Sequence, residues 1–257
     1  MASAPETSVP KLDRERIEVL HEMSGCLVTR YSDSTVIKTG RAVNVDEQSA
    51  LELASQYGLP VPRVYDAGEL DGKPFLRMDF VEGDRLDSVW PSMTPEEKSS
   101  ICRQLREVIT TMRSIPAKTG LIGSCSGGEA RDCRHYTEYT GGPFADEATF
   151  NSSFYLDFVG TIPIGIRTAL SQIRSDHRIV FSHGDLSQHN ILVKDGRITG
   201  LIDWETAGWY PEHWEYIKFF DRHGKNRDWR NFAADIFHEV YHQELAHHQG
   251  IVRWQRP

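Results

Sequence analysis

The run at positions 183–205, HGDLSQHNILVKDGRITGLIDWE, constrains the fold more than any other part of the chain. It holds two short, β-rich apolar segments separated by Asp195-Gly196, and Asp-Gly between apolar runs is a strong hairpin signal. A hairpin brings its two ends together. The side chain of Asn190, before the first strand, is therefore expected beside that of Asp203, after the second.

The polar residues of this run are those that metal-assisted phosphoryl transfer needs. Asp185 follows an apolar run at 179–181, which is typical of a short buried strand, and can accept a proton from an acceptor hydroxyl. Asn190 and Asp203 offer a neutral and an anionic oxygen, which are hard ligands suited to Mg²⁺. Asp, Asn and Gly also crowd into ordinary surface turns, but turn chemistry alone does not account for the flanking strands.

The pattern HGD, four residues, N and a later ID resembles the aminoglycoside phosphotransferase and choline kinase family, relatives of protein kinases. The stretches FSHGDLSQHNILV and GLIDWETAGWYPEHWEY are similar to a fungal-type branch of that family. The resemblance implies an α+β, two-lobed protein-kinase-like fold, with a small N-terminal antiparallel-sheet lobe and a larger, mainly helical C-terminal lobe. It also implies transfer of the γ-phosphate of ATP to a hydroxyl of a small molecule, with Asp185 as catalytic base and Mg²⁺ on Asn190 and Asp203.

The order of predicted elements agrees with two lobes. Short strands and one helix, at 45–57, precede position 78, and the chain becomes helical from a capping box at Thr94 onward. We therefore predict a flexible arm at 1–16, a nucleotide-binding lobe at 17–80 and a lobe for catalysis and acceptor binding at 81–257.

Lys38 and Glu47 complete the phosphate-binding part of the predicted site. Lys38 ends an apolar strand, where the family places its phosphate-binding lysine. Glu47 lies near the start of the following helix and is expected to hold the lysine ammonium, with Glu52 as the alternative partner. A solvated strand end and a carboxylate favoured by the helix dipole are the structural alternatives.

The adenine-binding residues follow from the same resemblance. The backbone of Asp79, Phe80 and Val81 is expected to form the interlobe hinge and to pair with adenine, with Met78 behind the pocket. Leu192 is expected to form the apolar floor, although a core leucine explains its position equally well.

Several departures from the wider kinase pattern bear on the substrate. The first two strands are not joined by GxGxxG, and only Gly25 is available there. Ser187 stands where protein serine/threonine kinases carry a lysine, and Trp204-Glu205 follows Asp203 in place of Phe-Gly. The chain after Asp203 is too short for a peptide-docking activation segment, so a protein substrate is not expected.

The stretch at 204–216 interleaves aromatic side chains with carboxylates, an arrangement that suits an organic cation. Glu205 and Glu215 are accordingly predicted to contribute to the acceptor pocket, which would favour an amino-alcohol or an aminoglycoside-like compound. The alternative is that the aromatic residues pack in the core of the helical lobe.

Composition excludes several classes of function. The net charge of −8 argues against a nucleic-acid partner, which requires a basic face. No run approaches the about 18 apolar residues of a membrane span, and the N-terminus lacks the apolar segment of a secretory signal. Four cysteines without paired metal spacing indicate free thiols in a reducing compartment, so we expect a cytoplasmic protein without membrane partners.

A zinc-protease motif competes with this interpretation. His238-Glu239-Val240-Tyr241-His242 reads HExxH, which on a helix places two imidazoles one turn apart. The elongated version of the motif needs a glycine where Leu245 stands, so proteolysis is not expected.

A second alternative is a kinase-like protein without catalytic activity that only binds a nucleotide or another ligand. The presence of Lys38, Asp185, Asn190 and Asp203 together favours an enzyme.

Overall fold

The computed structural model describes residues 15–23, 25–117, 119–134, 137–156, 162–221 and 224–255. The predicted arm at 1–16 lies almost entirely outside the described residues, and the first described element is a strand that begins at Arg16.

Within the described residues, the N-terminal part is a five-stranded antiparallel sheet with one helix. Its elements are β1 (Arg16–Met23), β2 (Cys26–Tyr31), β3 (Thr35–Thr39), α1 (Glu47–Gln56), β4 (Val64–Leu70) and β5 (Lys73–Asp79), and the strand order is β1-β2-β3-β5-β4. β3 lies in the middle of the sheet, so Thr35 to Lys38 are all buried. This central position explains why a lysine is buried at the end of the strand.

The C-terminal part is mainly helical, with small sheets. Its elements are β6 (Asp84–Arg85), α2 (Leu86–Val89), α3 (Pro95–Ser114), β7 (Gly123–Ser124), β8 (Ala130–Arg134), β9 (Thr137–Gly141), α4 (Glu147–Phe150), α5 (Ile164–Leu170), β10 (Ile179–Ser182), β11 (Ile191–Lys194), β12 (Arg197–Leu201), β13 (Gly208–Pro211), α6 (Trp214–Asp221), α7 (Ala233–Ile236) and α8 (His242–Trp254). Short 3₁₀ turns lie at Trp90–Ser92, Gln188–Asn190 and Trp229–Phe232, and a π-helical turn at Asn151–Tyr155.

The predicted capping box begins α3. The Thr94 hydroxyl accepts a hydrogen bond from Glu97 N (3.2 Å), and the Glu97 carboxylate accepts one from Thr94 N (2.7 Å). This reciprocal pair satisfies two N–H groups that the first helical turn leaves free. The apolar stripe that follows is buried against the core.

The predicted hairpin at 190–203 is confirmed as β11 and β12. Asp195 (φ 50°) and Gly196 (φ 72°) both have positive φ, as a two-residue type I′ turn requires. Beyond the strands, Ile202 N donates to Asn190 O (3.0 Å), so the two ends of the hairpin meet. Leu201 N also donates to Pro60 O (2.7 Å), which joins the hairpin to the N-terminal part.

The aromatic residues at 204–216 are core residues, and the prediction that they bind an organic cation is wrong. Each is at most 5% exposed: Trp204, Trp209, Tyr210, Trp214 and Tyr216. The rings of Tyr210 and Trp214 stack on one another at 5.3 Å. Their hydrophobic area is buried in packing, so it is not available to a ligand.

The HExxH sequence does not form a zinc-protease helix. His238 to Tyr241 are irregular, and α8 begins only at His242. Glu239, the would-be general base, is bound to Arg113 (3.2 Å) and accepts from the Tyr241 hydroxyl (2.6 Å). In the described part of the chain, no helix is both long and apolar enough to cross a bilayer.

Candidate active site

A buried ion cluster lies between the central strand of the sheet and the end of the hairpin. Lys38 Nζ donates to Glu47 Oε2 at 2.9 Å and to Asp203 Oδ1 at 2.7 Å, and lies 3.4 Å from Glu205 Oε2. β3, α1 and the segment after β12 each supply a charged group, so 165 residues separate partners that touch. The structure thus brings together Lys38 and Glu47 as predicted, and places Asp203 against the same lysine.

The charges of this cluster favour the protonated lysine. Burial alone would lower the pKa of Lys38, but the carboxylates of Glu47 and Asp203 outweigh it and hold that pKa well above its usual range. Burial raises the pKa of Glu47, against the lowering effect of Lys38. Lys38 is therefore a cation in a buried position, where its charge acts strongly on an anionic ligand.

Glu47 also holds the backbone that follows Asp203. Its Oε2 contacts Lys38, and its Oε1 accepts a hydrogen bond from Trp204 N (3.0 Å). One carboxylate from α1 thereby fixes both the lysine and the segment carrying Asp203. A second link comes from Asn44, whose Nδ2 donates to Glu205 O (3.3 Å).

Asp203 has a left-handed backbone conformation, with φ of 66°. A non-glycine residue at such φ is uncommon and costs about 1–3 kcal/mol unless the surroundings impose it. The bonds that flank it, from Ile202 N to Asn190 O and from Trp204 N to Glu47, impose it here. Backbone strain of this kind is a frequent mark of a functional site.

Asp185 and Asn190 lie in the loop between β10 and β11. Asn190 Nδ2 donates to Asp185 O at 2.9 Å and to Asp185 Oδ2 at 3.3 Å. The amide nitrogen of Asn190 is thus committed to holding Asp185, which leaves its Oδ1 as the atom that can ligate a cation.

His183 braces the same loop from inside. It is fully buried, its Nε2–H donates to Ile202 O (3.1 Å), and its Nδ1 accepts from Asp185 N (3.2 Å). These two bonds define the neutral tautomer with the proton on Nε2. The imidazole therefore joins the strand end before Asp203 to the backbone of Asp185.

Glu215 holds the loop that carries Asp185, and the prediction that it contributes to an acceptor pocket is wrong. It is 2% exposed, and its Oε2 accepts from His183 N (2.6 Å) and Gly184 N (3.1 Å). Gly184 has φ of +79°, and a Cβ there would lie 2.9 Å from Thr206 O. A carboxylate enclosed behind two backbone N–H groups cannot reach a substrate in solution.

Glu205 lies with the lysine cluster. Its side chain is 35% exposed, and partial burial together with the charge of Asp203 raises its pKa to about 7. The structure places it beside Asp203, with its Oε2 3.4 Å from Lys38 Nζ.

Part of the backbone of the predicted hinge, at 79–81, is hydrogen-bonded within the protein. Asp79 N donates to Arg63 O (3.0 Å) and Phe80 N to Ser34 O (2.8 Å), so neither N–H is free for a ligand. Val81 packs on Gly200 of β12, where an added Cβ would lie 2.8 Å from Val81 Cγ1. Asp79 and Phe80 therefore cannot donate their backbone N–H groups to a ligand. Of the predicted hinge donors, Val81 N–H is the one that these two bonds do not use.

Leu192 is 9% exposed and pairs with Arg85 of β6 in the sheet β12-β11-β6. It thus lies on the C-terminal side of the predicted hinge, at the edge of the core.

Sequence reasoning missed the residues that support the site through backbone contacts. Thr206 Oγ1 donates to His183 O (3.0 Å), and Glu215 reaches a loop 32 residues away. The spacing of apolar and polar residues in the sequence does not indicate either contact. The HGD pattern itself was the available hint, since a buried histidine beside a glycine needs partners for both backbone N–H groups.

Comparison with known proteins agrees with this geometry. A model of the phosphotransferase enzyme family matches residues 37–248. The aminoglycoside 3'-phosphotransferases of Enterococcus faecalis and Staphylococcus aureus are 27% and 26% identical to this chain, over 77% of it and 78% and 79% of theirs.

Solved structures show the same fold. Aminoglycoside-3'-phosphotransferase of type VIII superposes with a TM-score of 0.60 at 17% identity, over 94% of this chain and 93% of that one. The streptomycin–ATP ternary complex of the aminoglycoside phosphotransferase APH(2")-IIa gives 0.59 at 12% identity, over 93% and 78%.

Fold and site together define a small-molecule kinase, a phosphotransferase with a hydroxyl acceptor, built on the protein-kinase-like fold. The chain belongs to the phosphotransferase enzyme family. The predicted fold class and family are thereby confirmed, while the fungal-type branch stays a prediction.

Proposed function

We propose that the protein transfers the γ-phosphate of ATP, with Mg²⁺, to a hydroxyl of a small cationic molecule. The observation that carries this proposal is the convergence of Lys38, Glu47 and Asp203 within hydrogen-bonding distance, next to a hairpin whose other end holds Asn190 against Asp185. These are the groups that bind phosphate, bind metal and orient the acceptor in kinase-type transfer.

ATP is the proposed donor. Lys38 is a permanent, buried cation and would bind the phosphates, with Glu47 fixing its position. Val81 N–H would pair with adenine, and Leu192 would supply apolar contact beneath the ring. The streptomycin–ATP complex of a neighbour with this fold supports the choice of an adenine nucleotide.

The residues present fit Mg²⁺. Asn190 Oδ1 takes no part in the bonds that hold its amide nitrogen, and Asp203, whose Oδ1 accepts from Lys38, has a second oxygen on a side chain that is 37% exposed. The donor set is oxygen only, which Mg²⁺ prefers. The chemistry that the ion supplies when bound is neutralisation of the charge on the transferred phosphoryl group.

Asp185 is the proposed catalytic base. Its carboxylate would accept the proton of the acceptor hydroxyl and orient that oxygen toward the phosphorus. His183, Asn190 and Glu215 keep its backbone and side chain in place through the bonds given above. Positioning of this kind supplies much of the rate in phosphoryl transfer, because the transition state needs little covalent help.

The proposed acceptor is an aminoglycoside or an amino-alcohol. The net charge of −8 and the acidic residues of the site favour a cation over an anion. The curated relatives are aminoglycoside 3'-phosphotransferases, which supports the first of these compounds. Glu205 is the proposed carboxylate for this acceptor, and Glu215 has no part in binding it.

The test is transfer of ³²P from γ-labelled ATP to a panel of aminoglycosides and amino-alcohols, with Mg²⁺ titrated. Asp203→Asn should raise the Mg²⁺ concentration that gives half-maximal rate. Asp195→Asn, in the exposed hairpin turn, is the matched control and should change nothing, since asparagine also suits the type I′ turn. Nucleotide binding without transfer to any panel member, and without ATP hydrolysis, would favour the catalytically silent alternative.

A further inference from the structure

A second cluster of titratable side chains lies outside the site described above. Glu147 opens α4, His177 stands two residues before β10, and His213 directly precedes α6. The three side chains are 2–5% exposed, and one ligand atom of each lies within 4.8 Å of the others. Three separate elements thus converge on one buried point.

The orientation of these groups fits a cation. Glu147 Oε1 faces His177 Nδ1 at 2.8 Å and His213 Nδ1 at 3.9 Å. Among the described residues, His213 Nδ1 is buried without a hydrogen-bond partner. A distance of 3.9 Å is too long for a hydrogen bond. The unpartnered Nδ1 of His213 and a carboxylate oxygen of Glu147 therefore face the same point.

The surrounding bonds resemble the supporting contacts of protein metal sites. The second oxygen of Glu147 accepts from His177 backbone N (2.9 Å), which fixes the carboxylate. His177 Nε2 lies 3.3 Å from Glu244 Oε1 of α8. Histidine ligands usually donate their other ring N–H to a carboxylate in this way, and a metal ion at this point would replace the proton between His177 Nδ1 and Glu147 Oε1.

We propose that Glu147, His177 and His213 bind a divalent transition-metal ion, with zinc as the best match. Two imidazole nitrogens and one carboxylate oxygen form a donor set that zinc accepts and that Mg²⁺ and Ca²⁺ disfavour. The fourth position would open on a pocket that His177, His213, Glu244 and His247 line. Zinc–ligand distances of about 2.0–2.2 Å in a tetrahedral site place the donor atoms about 3.3–3.6 Å apart. The distances of 2.8 Å and 3.9 Å found here lie on either side of that range.

The site would act as a clamp behind the catalytic loop. β10 leads directly into His183, and α6 carries Glu215, which holds the backbone of that loop. His177 and His213 stand at the beginnings of these two elements. Metal binding should therefore stabilise the native fold and the loop geometry together.

The first experiment measures metal content and thermal stability of untagged protein prepared without chelators. Elemental analysis should find one zinc per chain. After removal of metal, ZnCl₂ at a hundredfold excess over Kd should raise Tm by about 5 °C or more, because the metal binds only the native state. Co²⁺ in place of zinc should give the visible absorption of a tetrahedral site.

The variants separate this site from other places where zinc could bind. His213→Gln removes Nδ1, an atom without a hydrogen bond to lose, and should abolish stoichiometric zinc and the Tm rise. Glu244→Gln keeps the three ligands and should weaken zinc binding by about 10- to 100-fold. His238→Ala, in the exposed HExxH sequence, should leave both unchanged.

Three results would overturn the proposal: no stoichiometric zinc and no Tm rise in the wild type, a Tm rise retained by His213→Gln, or a rise lost in His238→Ala. If His213→Gln does not fold, the Glu244→Gln affinity and the Co²⁺ spectrum decide the question in its place. Asp203→Asn should keep its zinc, so failure of the proposed kinase activity would leave this test unaffected.

Discussion

Replacement of Glu215 by glutamine gives the sharpest test of how the site is supported. Glu215 Oε2 accepts from His183 N at 2.6 Å and from Gly184 N at 3.1 Å, and both bonds are buried. A hydrogen bond to a charged group contributes about 1.5–3 kcal/mol and a neutral one about 0.5–1.5 kcal/mol. Loss of the charge at two bonds should therefore cost roughly 2–3 kcal/mol of unfolding free energy, and lower Tm by about 4–10 °C.

The kinetic expectation distinguishes the two roles that this residue could have. A looser loop misplaces Asp185, so kcat of Glu215→Gln should fall about tenfold or more, since each tenfold corresponds to about 1.4 kcal/mol. KM for the acceptor should stay within about twofold, because the carboxylate does not face the substrate. The assay is steady-state transfer from ATP at 25 °C, well below the Tm of both proteins.

Glu212→Gln is the matched control. Glu212 lies in the same segment and is bound to Arg178 (2.8 Å), away from the catalytic loop. It should lose little stability, as expected for a pair with an exposed arginine, and keep its kcat. A Glu215→Gln enzyme with unchanged kcat and a raised acceptor KM would refute the loop-supporting role and restore Glu215 to the acceptor pocket.

Two further changes test the charge and the backbone of the site. Folding raises the pKa of Glu205 from 4.5 to about 7. As pH rises between these two values, the unfolded chain releases the proton of Glu205 before the folded protein does. The metal-free protein therefore loses stability over this pH range. Glu205→Gln should therefore be more stable than the wild type above pH 7 and nearly equal to it below pH 4.5, in Tm measured across that range; a difference independent of pH would contradict this. Gly184→Ala should lose about 2 kcal/mol or more in denaturant unfolding, because it adds both positive-φ strain and a contact with Thr206. Gly196→Ala, with similar φ and open space around its Cβ, should show the strain alone, and equal losses would exclude the contact.

The convergence of Asn190 and Asp203 could be predicted because local signals specify it. Asp195-Gly196 can adopt the two positive φ values of a tight turn, and the apolar segments on each side pair as antiparallel strands with one register shift, between Leu192 and Val193. Lys38 and Glu47 were predicted from the resemblance to the family, and their contact is also short-range, since a strand end and the next helix start are close in sequence. Each of these contacts joins residues that are close to one another in the sequence.

The remaining contacts depend on how elements pack in three dimensions. Glu215 was misassigned because its sequence neighbours are aromatic, and nothing in the spacing shows that α6 turns this face toward the loop of His183. The bond from Trp204 N to Glu47 uses a backbone group, which leaves no side-chain pattern to detect. The aromatic residues suggested a ligand site, but the hydrophobic effect places large rings in the core when a lobe can bury them.

The most direct test of the central claim is phosphate transfer by Asp185→Asn, measured beside its nucleotide binding. Asparagine keeps the size of the side chain and the contact with Asn190 while removing the basic carboxylate. Transfer to the best acceptor should fall about 10²- to 10⁴-fold, and the rise of Tm with Mg-ATP should match the wild type. Undiminished transfer by Asp185→Asn would contradict the assignment of the catalytic base, and with it the proposed mechanism.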